Sequence, residues 1–359
     1  MRPPSRVHVA RPVRRLPVSG EDVNTRVVLV SRPHGDPAPE NFGLESVPAV
    51  SPGPGEVLVA VDMLSIDAFI RTTLDDRDDS LHGSAPIGST IGALGVGTVI
   101  ESGDDRFQPG DAVAGGLGAQ TRATVPTAFL EKVDTSRFGP ATQLGAMGLT
   151  TGLTAYVGMK FVGRVTETDT VVVSGAAGAV GTFAGQIARL LGAKRVIGIA
   201  GGPEKGRYLV DELGYDASID YRAGSIDARL AELAPDGVDV FFDNVGGDIL
   251  DSVLLQIHEG SRIVICGAIS QYGDMNNVTG PRNYLKLAER HANMEGFTVL
   301  HFAARFAEAR DDIRGWLTDG SLVEHNHVER GIERFPHALD LLLTGGHRGK
   351  LLVDVSGDA

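Results

Sequence analysis

The 359-residue chain has a single cysteine, Cys266, and this scarcity restricts its chemistry. One thiol cannot form a disulfide within the chain, so we expect a protein of the reducing cytoplasm. A catalytic zinc ion needs three protein ligands, commonly cysteine and histidine, and a structural zinc ion is commonly held by four. His325 and His327 form an H-x-H pair flanked by Glu324 and Glu329. An exposed strand explains this pair more simply than a metal site, so we predict no bound metal.

Positive charge and long apolar runs are also scarce. The net charge of −13 argues against nucleic acid or an anionic membrane as the main partner. No apolar run approaches the ~18 residues that cross a bilayer, so we expect no membrane segment. The exception to the acidic balance is residues 1–20, which are rich in proline, lack acids and contain Arg2, Arg6, Arg11, Arg14 and Arg15. We predict that residues 1–24 are a disordered arm, with a targeting or nucleic-acid tail as the alternative.

Glycine and proline separate short apolar runs in the first part of the chain. Between residues 26 and 130, β-type runs such as EVLVAVDMLSI (56–66) alternate with turn sequences such as SPGPGE (51–56). Many short strands with such turns are typical of a barrel-like β domain.

The pattern changes after about residue 147, where strand and helix patterns begin to alternate. Predicted strands cover residues 170–174, 195–200, 217–220, 238–243, 262–266 and 297–302, and predicted helices cover 182–193, 204–214 and 248–257. This alternation predicts βαβ units and a parallel sheet. A helix over 304–320 and a strand over 349–355 follow, and we expect this tail to return to the β domain.

The turn after the first of these strands matches a dinucleotide-binding fingerprint. It reads Ala176-x-Gly178-x-x-Gly181, with alanine in place of the first glycine and Gly175 just before it. Gly178 would let the backbone approach a pyrophosphate, and Gly181 would let the following helix pack against the strand. Similar turns also serve packing alone, but the strand before it and the helix after it favour dinucleotide binding.

The end of the second strand bears on the choice of cofactor. An NAD site usually places an acid ~20 residues after the turn, and here no carboxylate directly follows Ala200. Lys205 and Arg207 come a few residues later and suit the 2′-phosphate of NADP, with a solvated helix face as the alternative. Glu204 is the counter-argument, although it could cap the helix. The sequence therefore favours NADPH over NADH.

Several longer motifs resemble a known family. AAGAVG (176–181), FFDNVGG (241–247) and ICGAISQY (265–272) occur in this order, with supporting stretches SIDAFIR (65–71), LGAMGLTTGLTAYVGM (144–159), MEGF (294–297) and GKLLV (349–353). Over roughly residues 26–355 the chain resembles the zinc-independent medium-chain dehydrogenase/reductase superfamily. Within it, the chain looks like the prostaglandin reductase and 2-alkenal reductase branch of NADP-dependent oxidoreductases.

The resemblance implies an α/β fold with two parts. A GroES-like β-barrel catalytic domain would span residues 25–146 and 311–359, and a Rossmann domain with a doubly wound parallel sheet would span 147–310. It also implies NADPH in the cleft between them and a homodimer.

The resemblance further assigns site residues by position. Ala177, Gly178, Ala179 and Val180, with Gly181, would form the pyrophosphate turn, and Lys205 and Tyr221 would contact the 2′-phosphate. The remaining cofactor residues would lie along the ribose and nicotinamide: Asn244, Cys266, Gly267, Ala268, Ile269, Ser270, Phe297, Thr298 and Val299. Tyr272 matches the tyrosine that would donate a hydrogen bond to the substrate oxygen.

Some positions depart from the family or have a simpler explanation. Phe69 occupies a position where the family commonly has tyrosine. His347 occupies a position where the family has an asparagine that faces the cofactor. Asp243 could simply hold the NVGG turn instead of taking part in catalysis. Tyr272 could simply pack at the strand end instead of donating to a substrate. In the stretch 274–296, which is individual to this chain, Asn283 and Tyr284 could line a substrate pocket or begin a surface helix.

These features favour an enzyme that reduces the activated C=C bond of α,β-unsaturated aldehydes or ketones, with Tyr272 as the donor. Without a metal, hydrogen bonds must stabilise the developing charge, and an enolate makes this easier than a plain alkoxide does. An NADPH:quinone reductase on the same scaffold is the alternative. A binding module that senses NADPH or carries nucleic acid on its basic arm is a weaker one.

Overall fold

The computed structural model describes residues 23–77 and 82–357. The predicted arm over 1–24 therefore lies mostly outside the described residues. Its last two residues, Val23 and Asn24, already belong to the first strand, so the prediction extended the arm too far.

The described residues form two large sheets and a separate two-stranded ribbon, with helices around them. The strands are β1 (Val23–Leu29), β2 (Phe42–Pro48), β3 (Glu56–Ser65), β4 (Leu94–Ser102), β5 (Ala112–Gly116), β6 (Arg122–Pro126), β7 (Leu130–Lys132), β8 (Thr170–Ser174), β9 (Arg195–Ala200), β10 (Ala217–Asp220), β11 (Val238–Asp243), β12 (Ile257–Ile265), β13 (Asn293–Gly296), β14 (Asn326–Arg330) and β15 (Lys350–Asp354). The α-helices are α1 (Phe69–Thr73), α2 (Pro140–Leu144), α3 (Gly152–Val157), α4 (Ala179–Leu190), α5 (Pro203–Arg207), α6 (Ile226–Leu233), α7 (Gly247–Leu254), α8 (Leu285–Glu289), α9 (Phe306–Asp319) and α10 (Phe335–Thr344).

The first sheet joins strands from both ends of the chain. Its order is β14-β15-β3-β4-β5-β7, with β6 also paired to β3, while β1 and β2 form a separate antiparallel ribbon. The tail returns to this sheet as predicted, because β15 pairs antiparallel with β3. Among the described strands the pairing runs from β14 to β7 without closing, so the predicted barrel is an open, barrel-like sheet.

The second sheet is parallel, as the alternating pattern predicted. Its order is β10-β9-β8-β11-β12-β13. Its first strand, β8, lies in the middle, and the strands of the first half run outward from it to β10. The chain then crosses from β10 back to β11, so the switch point lies between the neighbouring strands β8 and β11. In such doubly wound sheets, ligands bind outside the carboxyl ends of the strands at this point.

The apolar strands of this sheet are buried on both faces. Val171 and Val173 pack in a core cluster with Phe183 of α4, and Val172 packs on the opposite face with Val253 of α7. Because neither face meets water, a strand such as β8 has no alternation of polar residues.

The predicted strand over 297–302 is wrong. The edge strand β13 lies just before it and pairs with β12, while Val299–Arg305 forms a 3-10 turn. The aromatic rings of this segment pack against the core instead. The ring centroid of Phe297 lies 6.2 Å from that of Phe302 and 6.4 Å from that of Phe242. An apolar run of this length does not distinguish a buried strand from a packed turn.

Candidate dinucleotide and substrate site

The turn after β8 has the geometry of a dinucleotide-binding turn. Gly175 adopts a φ of +57°, and the N–H of Gly178 donates to the Gly175 carbonyl at 2.9 Å. The tight-turn role that the fingerprint gives to its first glycine therefore falls to Gly175, which precedes the alanine of the motif. The helix α4 starts at Ala179, earlier than predicted, so Ala179, Val180 and Gly181 form its first turn. Their N–H groups lie at a helix N-terminus, which favours an anion.

Two glycines of this turn have different surroundings. A Cβ on Gly181 would lie 2.3 Å from the Gly175 carbonyl oxygen, so the close packing of α4 against the turn requires glycine. A Cβ on Gly178 would meet only that same oxygen, at 3.2 Å, and the space beyond it is open. This open backbone fits a dinucleotide pyrophosphate.

A cavity of about 630 Å³ lies beside the carboxyl end of β9, and positive side chains surround it. It is lined by Gly201, Gly202, Pro203, Glu204, Lys205, Arg207, His327, Gly345, Gly346, His347 and Arg348. Tyr221 and Arg222 lie against its wall, because a Cβ on Gly201 would be 2.9 Å from an atom of each.

Lys205 is the central cation of this cavity. Its half-buried Nζ donates to the Gly345 carbonyl at 2.8 Å. Burial lowers the pKa of Lys205, and the positive charges of Arg222 and Arg348 lower it further. Arg348 reaches Glu204 and Glu212 only at 3.8 and 3.7 Å. A phosphate group would offset this excess of positive charge, as the 2′-phosphate of NADP requires.

His347 supplies a buried polar atom to the same cavity. Its side chain is only 7% exposed, and Nδ1 has no hydrogen-bond partner among the described residues. Burial lowers the pKa of His347 to about 4, with a further contribution from the charge of Lys205. The segment that carries it crosses the glycine turn, where the Gly349 N–H donates to the Ala177 carbonyl at 2.9 Å. An unpaired buried nitrogen at this place fits a polar ligand.

The loops that follow β11 and β12 are joined at the carboxyl edge of the sheet. Asp243 is fully buried and accepts from Ser174 Oγ at 2.6 Å and from the N–H groups of Val245 and Gly246. Burial raises the pKa of this carboxyl group. Asp243 thus holds the NVGG turn, the simpler of its two roles. Asn244 Nδ2 donates to the Ser174 carbonyl at 2.8 Å, which ties this turn to β8 at the switch point.

Tyr272 lies in the loop after β12. Its hydroxyl oxygen accepts from the Ala268 N–H at 3.2 Å, and no acceptor for its own proton occurs in the part of the chain that the structure describes. Burial raises the pKa of Tyr272, and the neighbouring Cys266 and Asp243 raise it further. The group therefore stays protonated near neutral pH.

The other predicted loop residues form the backbone of this edge. The N–H groups of Cys266 and Gly267 donate to the Asp243 carbonyl, and those of Ile269 and Ser270 donate to Asn244 and Val245. Burial raises the pKa of the Cys266 thiol to about 12, so it is not a thiolate. Thr298 and Val299 follow Phe297, whose N–H contacts the end of β12 at the Ile265 carbonyl. Their contact with a cofactor stays a prediction.

Asn283 and Tyr284 lie away from this edge, at the start of α8. Asn283 Nδ2 donates to the Asp251 carbonyl of α7, and Tyr284 is 56% exposed. The surface-helix interpretation fits both.

The residues that the structure describes do not fit a zinc ion. Within residues 23–77 and 82–357, no group of three or more His, Cys, Asp or Glu side chains could hold a metal. His327 instead contacts Glu329 at 3.2 Å on β14, and His325 lies 3.8 Å from Glu212. For the same described residues, no helix is long and apolar enough to cross a membrane.

Three functional features of this region escaped sequence reasoning. Arg222 and Arg348 lie close to Lys205 although the three residues are on separate segments. The sequence signals for them were weak: Arg222 follows a strand end, and Arg348 directly precedes GKLLV. Arg71 belongs to the SIDAFIR motif but received no role. Its guanidinium is buried and contacts the loop of Tyr272, 202 residues away in sequence.

Fold and site together define a dinucleotide-binding oxidoreductase. Family models agree: one described as the N-terminal domain of oxidoreductase matches residues 25–133, and one described as zinc-binding dehydrogenase matches residues 179–314. The chain belongs to the medium-chain dehydrogenase/reductase superfamily, which confirms the resemblance and the fold class.

Named relatives support this placement. The chain is 35% identical to the NADPH-dependent curcumin reductase of Escherichia coli (strain K12), over 93% of this chain and 98% of the relative. It is 34% identical to the NADP(+)-dependent 2-alkenal reductase of Nicotiana tabacum, over 93% of this chain and 98% of that relative. The crystal structure of CurA from Vibrio vulnificus in complex with NADPH has a TM-score of 0.86 and 35% identity, covering 92% of this chain and 99% of that chain.

Proposed function

We propose that this protein is an NADPH-dependent reductase of activated C=C bonds in α,β-unsaturated aldehydes and ketones. NADP(H) as the cofactor and an oxidoreductase activity agree with the relatives, since both named enzymes are NADP(H)-dependent. Curcumin and 2-alkenals share a C=C bond conjugated to a carbonyl group, which is the substrate class that we infer here.

The Tyr272 hydroxyl is the observation that carries this proposal. It lies at the carboxyl edge of the sheet, beside the switch point, and its oxygen is held by the Ala268 N–H. Its raised pKa keeps the proton on the oxygen, so the group is a donor and not a base. Reduction at the β-carbon of an enone shifts negative charge to the carbonyl oxygen. A fixed donor beside that oxygen stabilises the transition state more than the substrate.

Other residues of the chain would bind and orient the cofactor. When bound, NADPH supplies a hydride to the substrate. The open backbone at Gly178 and the first turn of α4 would hold the pyrophosphate, and Lys205, Arg222 and Arg348 would hold the 2′-phosphate. His347 would offer its unpaired nitrogen from the segment that crosses the turn. Because the described residues offer no metal site, the hydrogen bond from Tyr272 has the charge-stabilising role in this proposal.

Replacing Tyr272 with phenylalanine tests the role of the hydroxyl. Loss of one oxyanion donor typically costs ~2.7–4 kcal/mol, so kcat on an enone should fall about 100-fold or more while the NADPH KM stays nearly constant. NADPH oxidation at 340 nm measures both. Tyr284→Phe is the matched control and should retain wild-type rates, since Tyr284 is exposed just before α8. Full kcat in Tyr272→Phe would refute the assigned role.

A substrate screen tests the reaction class. Trans-2-alkenals, enones and benzoquinones should be compared with the same enzyme and NADPH. We expect saturated carbonyl products from the first two classes. Turnover of quinones alone would replace the proposal with the quinone reductase alternative, and tight NADPH binding without any turnover would favour a binding module. A homodimer, a cytoplasmic location and domain boundaries at residues 146 and 310 stay predictions.

A further inference from the structure

Arg71 is a buried cation that joins three separate segments, one of which is the loop that carries Tyr272. It lies in α1 and its side chain is 1% exposed. Its Nε donates to the Gly35 carbonyl at 3.1 Å, one terminal nitrogen donates to Asp75 Oδ1 at 2.7 Å, and the other donates to the Gly273 carbonyl at 2.7 Å. Each of the three guanidinium nitrogens therefore has a different partner.

The third contact reaches the loop of Tyr272. Gly273 directly follows Tyr272, which ends a short 3-10 turn over Ile269–Gln271. The start of this loop is fixed by backbone hydrogen bonds to Asp243 and Asn244, as described above. Beyond Tyr272, the contact from Arg71 fixes the loop to α1. This helix lies between β3 and β4 of the first sheet, whereas the loop follows β12 of the parallel sheet. The two attachments lie on either side of the tyrosine.

The surroundings of Arg71 explain why this contact is strong. Asp75 forms a partly buried ion pair with the guanidinium. Asp274 is close enough for the charge of Arg71 to contribute to lowering its pKa, after the hydrogen bonds from Asn277 and Asn276. A hydrogen bond from a charged donor to a carbonyl oxygen is shorter and stronger than a neutral one. The buried guanidinium also cannot move to water without losing its partners.

We propose that Arg71 is a positioning residue that fixes the Tyr272 hydroxyl for reduction by holding the Gly273 carbonyl. This inference rests on the proposed function, because it assigns Arg71 an effect through Tyr272. Arg71 itself touches neither the cofactor cavity residues nor Tyr272's hydroxyl in the contacts that the structure gives. Lysine cannot replace it, since one ammonium group cannot reach three acceptors with the planar geometry of a guanidinium.

The test is a double-mutant cycle of Arg71→Lys and Tyr272→Phe. Arg71→Lys alone should reduce kcat on an enone by about 10- to 100-fold, as expected for a small misplacement of a reacting group, with the NADPH KM changed less than about 2-fold. In the Tyr272→Phe background the same change should reduce kcat by less than about 2-fold, because the hydroxyl that it positions is gone. Equal losses in both backgrounds would refute the proposal and indicate a general structural role.

Hydrogen–deuterium exchange gives a readout that is independent of activity. Peptides that cover residues 267–278 should exchange faster in Arg71→Lys than in wild type, while peptides from β8 should not change. Arg32→Lys is the matched control, since Arg32 donates to the Leu74 and Asp75 carbonyls at the end of the same helix without reaching Gly273. Unchanged exchange of residues 267–278 in Arg71→Lys would refute the proposal even if the enzyme had a different substrate.

Asp75→Asn keeps the test decisive if Arg71→Lys does not fold. It preserves the shape of the partner but removes its charge, so the guanidinium should be held less firmly. We expect the same direction of change in kcat and in loop exchange, with a smaller size. Wild-type values of both would overturn the proposal. Failure of the wild-type enzyme to reduce any enone would instead overturn the proposed function, while the exchange result would still decide the contact of Arg71.

Discussion

Lys205 has the surroundings of a cation that would bind a phosphate group. Its ammonium group is half-buried and donates to the Gly345 carbonyl, and the charges of Arg222 and Arg348 lower its pKa more than the charge of Glu204 raises it. A group in this situation gains from any phosphate that enters the cavity. The residue was predictable from the sequence because it follows a strand end without an acid. Its companions Arg222 and Arg348 were not, because only the folded chain brings them to the same cavity.

We expect Lys205→Ala to raise the NADPH KM about 10-fold or more, since a hydrogen bond to a charged group contributes roughly 1.5–3 kcal/mol. The NADH KM should change less than about 2-fold. In wild type, the NADPH KM should also rise with pH as Lys205 loses its proton, and at lower pH than an exposed lysine would, because its pKa is lowered.

Steady-state kinetics with both cofactors measures these effects. Lys194→Ala is the control, since Lys194 is exposed before β9. If Lys205→Ala changed the KM values for NADPH and NADH equally, Lys205 would not bind the 2′-phosphate.

At the scale of elements, burial decides what a sequence reveals. Strands β8 to β11 have the bounds that were predicted. In β8, β9 and β11 the reason is that buried apolar runs ended by glycine or acid have few alternatives, whereas the edge strand β10 is only partly buried. The run over 297–302 failed because its rings pack on the core from a turn, and residue order alone does not show this. The contact of Arg71 with Gly273 depends on two sheets meeting, which no local pattern records.

The junction of β8 and α4 gives a prediction with a built-in comparison. Gly181→Ala should destabilise the protein by about 1–3 kcal/mol, because the new methyl group would overlap the Gly175 carbonyl. Gly178→Ala should change stability much less, since its Cβ meets one atom at 3.2 Å, but it should weaken NADPH binding. Urea unfolding and fluorescence titration with NADPH measure the two effects. Similar stability in both variants would contradict the packing role of Gly181.

At the scale of the whole molecule, a buried ion pair connects distant parts of the chain. Lys350 of β15 is fully buried, and its Nζ donates to Asp67 Oδ1 at 2.8 Å. Asp67 also accepts from Ser65 and Thr150 at 2.5 and 2.8 Å. Burial alone would raise the pKa of Asp67, but the Lys350 charge and these hydrogen bonds lower it below its usual value.

Breaking this pair should affect the entire fold. Lys350→Met leaves Asp67 buried without its cation and should cost about 3–5 kcal/mol of unfolding free energy. The double variant Lys350→Met/Asp67→Asn should regain part of that loss. Since the pKa of Asp67 is lowered in the folded state, the stabilisation should also fade in wild type as the pH falls through that pKa. Chemical unfolding at several pH values measures this, and additive losses in the double variant would show that the pair is not coupled.

The return of β15 to the first sheet has a consequence for synthesis on the ribosome. The strands of the parallel sheet emerge in one continuous stretch, from Thr170 to Gly296, and can assemble as soon as that stretch is free. The other sheet must wait for β15, the neighbour of β3, until Asp354 has been added. Asp354 follows Ser65, the last residue of β3, by 289 residues, so at about 5–20 residues per second β3 lacks this neighbour for roughly 14 to 58 s of synthesis. An unpaired strand edge can pair with another chain, so we expect chaperones to bind the nascent protein at this edge.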